Sequence, residues 1–251
     1  IKIIAGVVTP DDGSEIYWDG TLVPKMTAHK SIELGLSVIY QDISMFPNLS
    51  IAENICKGLY HDVFVDFRKI RAKAQQALDT MGVEMDLSQR LGEISVGKQQ
   101  LVAIARAITF DSKVIVMDEP TAALSSSEVA MLYRIIGTLK ERGISIVYIS
   151  HKLEEIFTVA DRITVLRDGC YVGTQNIEDI TEAGLTRMMV GRDISFEKVA
   201  NPGRTDEVVL EVRDLCYRNR VKHVSFDLHK GEILGFSGLV GAGRSEIAKC
   251  I

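Results

Sequence analysis

The sequence predicts an α/β fold, and three observations carry that expectation. Short runs rich in β-branched residues recur along the chain, helical patterns separate them, and the longest apolar runs stop at strand length. Val114-Ile115-Val116-Met117 is such a run, apolar throughout as a strand buried on both faces must be. In chain order, residues 14–18 read as a strand beside glycine-containing turns and residues 37–40 as a second strand. Residues 68–81 and 99–108 read as helices, followed by the strand Val114–Asp118. Residues 128–142 form another helix, with Val129, Leu132, Ile136 and Leu139 on one stripe. Ser125, three residues before Glu128, supplies its capping box. Residues 144–149, 163–166 and 170–174 complete a first set of strands.

After Arg192 the pattern breaks. Residues 196–207 carry Asn201-Pro202-Gly203 and mixed charges, as an interdomain linker does. Strands follow at 208–212, 224–228 and 231–236, the last entering a glycine-rich loop that leads into a helix at the chain's end. The expected organisation is a first domain over residues 1–195, a linker over 196–207 and the start of a second domain over 208–251.

Composition narrows the function classes. The 251 residues are 46% hydrophobic and 25% charged, enough to bury a sizeable core. A net charge of −5 argues against general affinity for nucleic-acid backbones. No apolar run approaches the roughly 20 residues that cross a bilayer. Cys56, Cys170, Cys216 and Cys250 lie far apart without paired spacing, so neither a disulfide framework nor a zinc site is expected and a reducing cytosol fits. The first residue is Ile1 rather than Met and no signal peptide is visible, so the natural N-terminus is expected upstream.

Four motifs carry chemistry. Gly238-Leu239-Val240-Gly241-Ala242-Gly243-Arg244-Ser245 fits the phosphate-loop pattern GxxxxGK followed by Ser or Thr, with Arg244 in place of lysine. Glycines let backbone N–H groups wrap phosphates, a cation meets the outer phosphates, and the Ser245 hydroxyl suits Mg²⁺. Arg244 keeps the charge but not the compact ammonium, which argues for weak hydrolysis at this loop. Asp118 and Glu119 end a buried strand, where one carboxylate suits the Mg²⁺ shell and the other an attacking water. Plain turns also carry such pairs. His151 follows another strand, in place to meet a γ-phosphate or to serve as an ordinary surface residue. Ser95-Val96-Gly97-Lys98-Gln99-Gln100 precedes a helix and presents Ser95 and Gly97 for a phosphate, or for simple N-capping.

Taken in order, Gln41 after a strand, the Ser95 motif, Asp118-Glu119 and His151 resemble the ATPase domains of ABC transporters. The Ser95 motif resembles LSGGQ, with Ile94 and Lys98 as departures. That resemblance implies a phosphate-loop NTPase fold of the ABC ATPase type, a mixed sheet with a helical subdomain, followed by the start of a second such domain. Closest in pattern are the duplicated ATP-binding subunits of bacterial monosaccharide importers of the ribose, galactose and xylose type. Thr121-Ala122-Ala123-Leu124-Ser125, Met189-Val190-Gly191-Arg192 and the arginine-bearing second loop carry this narrower likeness.

The resemblance implies ATP and Mg²⁺ as cofactors, with Glu119, His151 and Gln41 catalytic and with Asp118, Ser245 and Gln41 near the metal. Gly238, Gly241, Gly243, Arg244, Ser245, Ser95 and Gly97 would bind nucleotide. Tyr217 falls where an aromatic stacks on adenine, although a core or surface tyrosine fits equally. Ile1-Lys2-Ile3-Ile4-Ala5-Gly6 resembles the end of the helix after a first phosphate loop, which is expected upstream. Residues 46–60 would face transmembrane permease subunits, though Phe46, Leu49, Ile51 and Ile55 suit a core as well. Through the permease the implied partner is a periplasmic or extracellular sugar-binding protein, with no nucleic acid and no membrane insertion. The implied location is the cytoplasmic face of the membrane. Alternatives are a soluble tandem ABC ATPase outside transport and an inert fragment without activity.

Overall fold

The computed structural model describes residues 1–40, 45–59, 66–191, 203–238 and 241–251, in two compact units, Ile1–Met189 and Val190–Ile251. The first unit is built on a three-stranded parallel sheet, β3 (Leu36–Ile39), β4 (Val114–Asp118) and β5 (Ser145–Ile149), with β4 in the middle. Val116 pairs with Val38 on one side and Val147 on the other. As the central strand, β4 must be apolar on both faces, and Ile115, Val116 and Met117 are fully buried.

Helices pack on this sheet and on each other. Short strands β1 (Tyr17–Trp18) and β2 (Thr21–Leu22) and helix α1 (Ala28–Leu34) precede the sheet. Next come α2 (Ile51–Cys56), α3 (Phe67–Met81) and α4 (Val96–Thr109). Asp66 caps α3 by accepting from the Arg68 and Lys69 amides, and Gly82, at φ +64°, closes its C-terminus. One contiguous core joins α2, α3 and α4 to β4 and to α5 (Ser126–Glu141) through Ile55, Leu78, Ile104, Met117 and Leu132. Each such side chain contributes roughly 1.5–3 kcal/mol when fully buried. Of the apolar residues expected to face a permease or the core, Ile51 and Ile55 are buried, whereas Phe46 is exposed under the Lys57 ammonium.

The unit continues with α6 (Leu153–Val159), the antiparallel pair β6 (Arg162–Arg167) and β7 (Cys170–Asn176), and α7 (Glu182–Val190). Parallel and antiparallel pairing therefore occur in separate ladders among the described residues. At the N-terminus, Gly6 at φ +70° donates to Ile3 O and Val7 donates to Lys2 O, the hydrogen bonds of a helix C-cap. The helix end expected there is not formed as a helix: residues 2–6 form turns.

The second unit holds the antiparallel hairpin β8 (Val208–Tyr217) and β9 (Val221–His229), followed by α8 (Arg244–Cys250). Thr205 donates to Lys230 O and Lys230 to Glu207 O, so the end of the expected linker is tied to this hairpin. The strand expected over residues 231–236 is not formed. A strand needs a ladder, and among the described residues of this unit β8 and β9 pair only with each other, leaving Ile233 92% exposed. The strand expected over residues 14–18 likewise shrinks to Tyr17–Trp18, paired with two residues of β2.

Candidate functional site

The C-terminal ends of β4 and β5 bring the candidate acids and the histidine together. Because the strands are parallel and in register, with Asp118 opposite Ile149, their following residues emerge on the same edge. Glu119 Oε1 lies 3.0 Å from His151 Nδ1. A carboxylate only accepts, so Nδ1 donates and Nε2 remains the ring's second polar atom. Both side chains reach solvent, at 31% exposure for Glu119 and 67% for His151. A contact so exposed adds at most about 1 kcal/mol to stability, so folding alone gives little reason to place it there.

Glu119 also carries an unfavourable backbone. Its φ is +45°, the left-handed region that costs a residue with a Cβ about 1–2 kcal/mol. Two hydrogen bonds hold it there: its N–H donates to Ile149 O at 2.9 Å and its C=O accepts from Ala122 N at 3.2 Å. Pro120, which has no N–H and a fixed φ, then turns the chain away from the sheet. The Asp118 carboxylate makes no hydrogen bond or ion pair among the described residues, so its hard oxygens suit a cation such as Mg²⁺. Gln41 lies outside the described residues.

The Ser95 motif begins α4. Ser95 is the N-cap, accepting from Lys98 N, and this cap starts the helix at Val96 rather than at the expected residue 99. Its hydroxyl also donates to Glu128 Oε1 at 3.2 Å. A Cβ on Gly97 would lie 2.1 Å from the same oxygen. A carboxylate therefore rests on the helix N-terminus that the sequence offers to a phosphate. The Ser125 amide, then burial working the opposite way, and next the Ser125 and Ser95 hydroxyls and Lys98, act on Glu128, with a net fall in its pKa. Glu128 also completes the capping box of α5, as expected from the sequence.

Sequence reasoning missed Glu155, which is 6% exposed on the first turn of α6. Oε1 accepts from the Thr121 hydroxyl at 2.5 Å and pairs with the Lys152 ammonium at 3.0 Å. Oε2 accepts from Tyr148 OH and Ser150 Oγ, each at 2.9 Å. Burial pulls its pKa upward, but the hydrogen bonds from Thr121, Lys152, Tyr148 and Ser150 outweigh burial and leave it below the ordinary carboxylate value. Burial and the same carboxylate push the Tyr148 phenol up. The only sequence signal was the acid's position four residues after His151 at a helix start.

The remaining candidates lie in the second unit. Gly241 and Gly243 adopt φ +86° and +87°, conformations that glycine takes without a Cβ penalty. Gly243 is the N-cap of α8, with Arg244 and Ser245 exposed on its first turn. Gly238 packs against Ala242, which a Cβ would approach to 3.0 Å. Tyr217 ends β8, half exposed, with the Arg218 guanidinium 5.1 Å from its ring centroid. In the first unit a cavity of about 250 Å³ is lined by Leu36, Tyr40, Arg106 and Phe110 among others. None of the candidate acids lines it, and burial lowers the Arg106 pKa there.

The first unit is thus a parallel sheet with paired acids at the end of its central strand and a facing histidine on the next, in the fold of ATP-binding cassettes. Residues 1–122 match the ABC transporter family. Ribose import ATP-binding protein RbsA 2 of Agrobacterium fabrum is 42% identical over 257 aligned residues, covering 100% of this chain and 50% of that protein. A putative ribose/galactose/methyl galactoside import ATP-binding protein of Burkholderia lata is 43% identical, with the same coverage. The chain spans about half the length of the curated relatives it matches. Among solved structures, an ATP-binding cassette captured as a dimer in a post-hydrolysis state with ADP and Pi gives a TM-score of 0.60 at 24% identity. That match covers 70% of this chain and 78% of the other. CbiO1 from Clostridium perfringens gives 0.61 at 22% identity, over 71% of each chain. These two share the fold.

Proposed function

We propose that this chain is part of the ATP-binding, ATP-hydrolysing subunit of a bacterial ABC importer that powers monosaccharide uptake. The Glu119–His151 contact at 3.0 Å carries the assignment, since it sets an acid and an imidazole on one strand edge next to Asp118. Glu119 accepts a proton from the water that attacks the γ-phosphorus, and His151 steadies the γ-phosphate through its imidazole. Asp118, Gln41 and the Ser245 hydroxyl supply hard oxygens for Mg²⁺, each at the site its own domain serves. When bound, the ion neutralises charge on the nucleotide phosphates.

Identity of 42–43% to proteins named for ribose and galactose import supports the sugar-import class. The proposed organisation is a first ATPase domain over residues 1–195, a linker over 196–207 and a second domain opening at 208. Gly238, Gly241, Gly243, Arg244 and Ser245 cradle nucleotide in that second domain, Tyr217 stacks on its adenine, and Ser95 and Gly97 of the first domain also bind nucleotide phosphate. That cradle is weakly hydrolytic because arginine replaces lysine, and Glu119 serves the main site. The subunit works at the cytoplasmic face of the membrane against permease subunits, which receive sugar from a binding protein outside. No helix among the described residues is long and apolar enough to cross a membrane.

The test uses the full-length protein with its permease. Glu119→Gln should lower steady-state ATP hydrolysis by about 10²-fold or more while Mg-ATP binding persists. Arg244→Ala should chiefly weaken nucleotide affinity. Equal losses of turnover from both changes would reject the asymmetry, and full activity in Glu119→Gln would reject the assignment.

A further inference from the structure

We propose that Glu155 is a positioning residue that fixes Glu119 and His151 in one register before nucleotide arrives. The inference about catalysis rests on the ATPase assignment above, whereas the linkage itself rests on geometry alone. The four donors to Glu155 come from two short segments and nowhere else among the described residues. Thr121 lies two residues beyond Glu119 on the turn that leaves β4. Tyr148, Ser150 and Lys152 bracket His151 as the chain leaves β5.

A second layer of hydrogen bonds ties these donors to one another. Lys152 N donates to Ser150 Oγ at 3.0 Å, and Lys152 Nζ reaches Thr121 Oγ1 at 3.4 Å. The two loops bearing the acid and the histidine thus share one buried carboxylate, each oxygen of which takes two donors.

A purely structural role explains this arrangement poorly. An apolar side chain of similar volume would fill the same place without the desolvation cost of a buried ion. A polar hub fixes direction as well as distance, and direction is what an acid and an imidazole need to meet one γ-phosphate. The +45° backbone at Glu119 sharpens this need, because a residue in a disfavoured conformation drifts once its surroundings loosen. Thr121 is only two residues away, so its bond to Glu155 restrains the turn that imposes that conformation.

The experiment compares full-length wild type with Glu155→Gln, Thr121→Val and the double variant. Glu155→Gln should lower kcat by about tenfold to a hundredfold with KM for Mg-ATP unchanged within about twofold. Thr121→Val should lose part of the same factor, and the double variant should be no slower than Glu155→Gln alone. Amide hydrogen exchange should accelerate together at residues 119–123 and 149–153 in Glu155→Gln, while α3 keeps its protection. Tyr148→Phe, which keeps the ring and removes one donor, supplies a milder loss of kcat if Glu155→Gln does not fold.

A folded Glu155→Gln enzyme with wild-type kcat would overturn the proposal. So would losses that multiply in the double variant, or exchange that loosens α3 as much as the two loops. If the wild type hydrolysed no ATP, the ATPase assignment would fall, while the exchange data would still decide whether Glu155 couples the loops.

Discussion

At the scale of single residues, the site is marked by groups that give up local stability. Glu119 occupies left-handed space that asparagine tolerates far better. Glu119→Asn should therefore raise the unfolding free energy by on the order of 0.5 kcal/mol while removing turnover. Urea titration beside an ATPase assay checks both halves, and a variant both less stable and inactive would contradict the strain argument. Gly97 illustrates the opposite constraint. Its missing side chain leaves room for the Glu128 carboxylate, which a Cβ would meet at 2.1 Å. Gly97→Ala should push that carboxylate off Ser95 and weaken the α5 capping box, costing about 1 kcal/mol in thermal unfolding. Unchanged stability would mean that Glu128 moves aside freely. The sequence displayed Asp118, Glu119 and His151 as residue types in order; only the strand register places Glu119 against His151. Neither the positive φ of Glu119 nor the burial of Glu155 has a purely local sequence signature, because the positive φ rests on Ile149, 30 residues away, and Glu155 gathers Thr121, 34 residues away, with its nearer donors.

At the scale of elements, legibility followed the locality of the forces. Val114–Asp118 was readable because a central strand announces itself by its unbroken apolar run. The helices at 67–81 and 126–141 carry side-chain caps, which are local, and their observed limits lie within two residues of those expected. The strand expected at 231–236 failed because strandness is completed by a partner, which no run of β-branched residues supplies. Helix α5 was right in extent but slightly wrong in rotation. Leu132, Ile135, Ile136 and Leu139 are buried, so Ile135 belongs to the core face and Val129 stands at its margin. Ile135→Ala should therefore cost about 2–5 kcal/mol and Val129→Ala about 1 kcal/mol or less. Equal losses in chemical denaturation would restore the stripe read from periodicity.

At the scale of the whole molecule, the carboxylates give stability a defined pH dependence. In the first unit, Ser50 side-chain and backbone hydrogen bonds lower Glu53, and Glu128 and Glu155 are also held below the ordinary value. In the second unit, the His229 amide lowers Glu232 and the Arg220 guanidinium lowers Glu246. Each binds a proton less readily folded than unfolded, so its contribution is fully present above the unfolded pKa of about 4.3. That contribution drains away as pH falls below this value toward the lowered folded pKa. Groups raised by burial, Cys56 and Tyr133 among them, set the other limb, and the most strongly raised is Tyr148. Its raised pKa disfavours phenolate in the fold, so stability falls as pH rises through about 10, where an unfolded tyrosine ionises. The thermal midpoint should thus be flat near neutrality, fall below about pH 4.5, begin to fall above about pH 8.5 with the Cys56 thiol and fall further above about pH 10. Tyr148→Phe tests the alkaline limb separately, because phenylalanine has no proton to lose and should hold its midpoint further into base. The same alkaline fall in wild type and Tyr148→Phe would assign that limb to other groups and leave the buried phenol without a part in it.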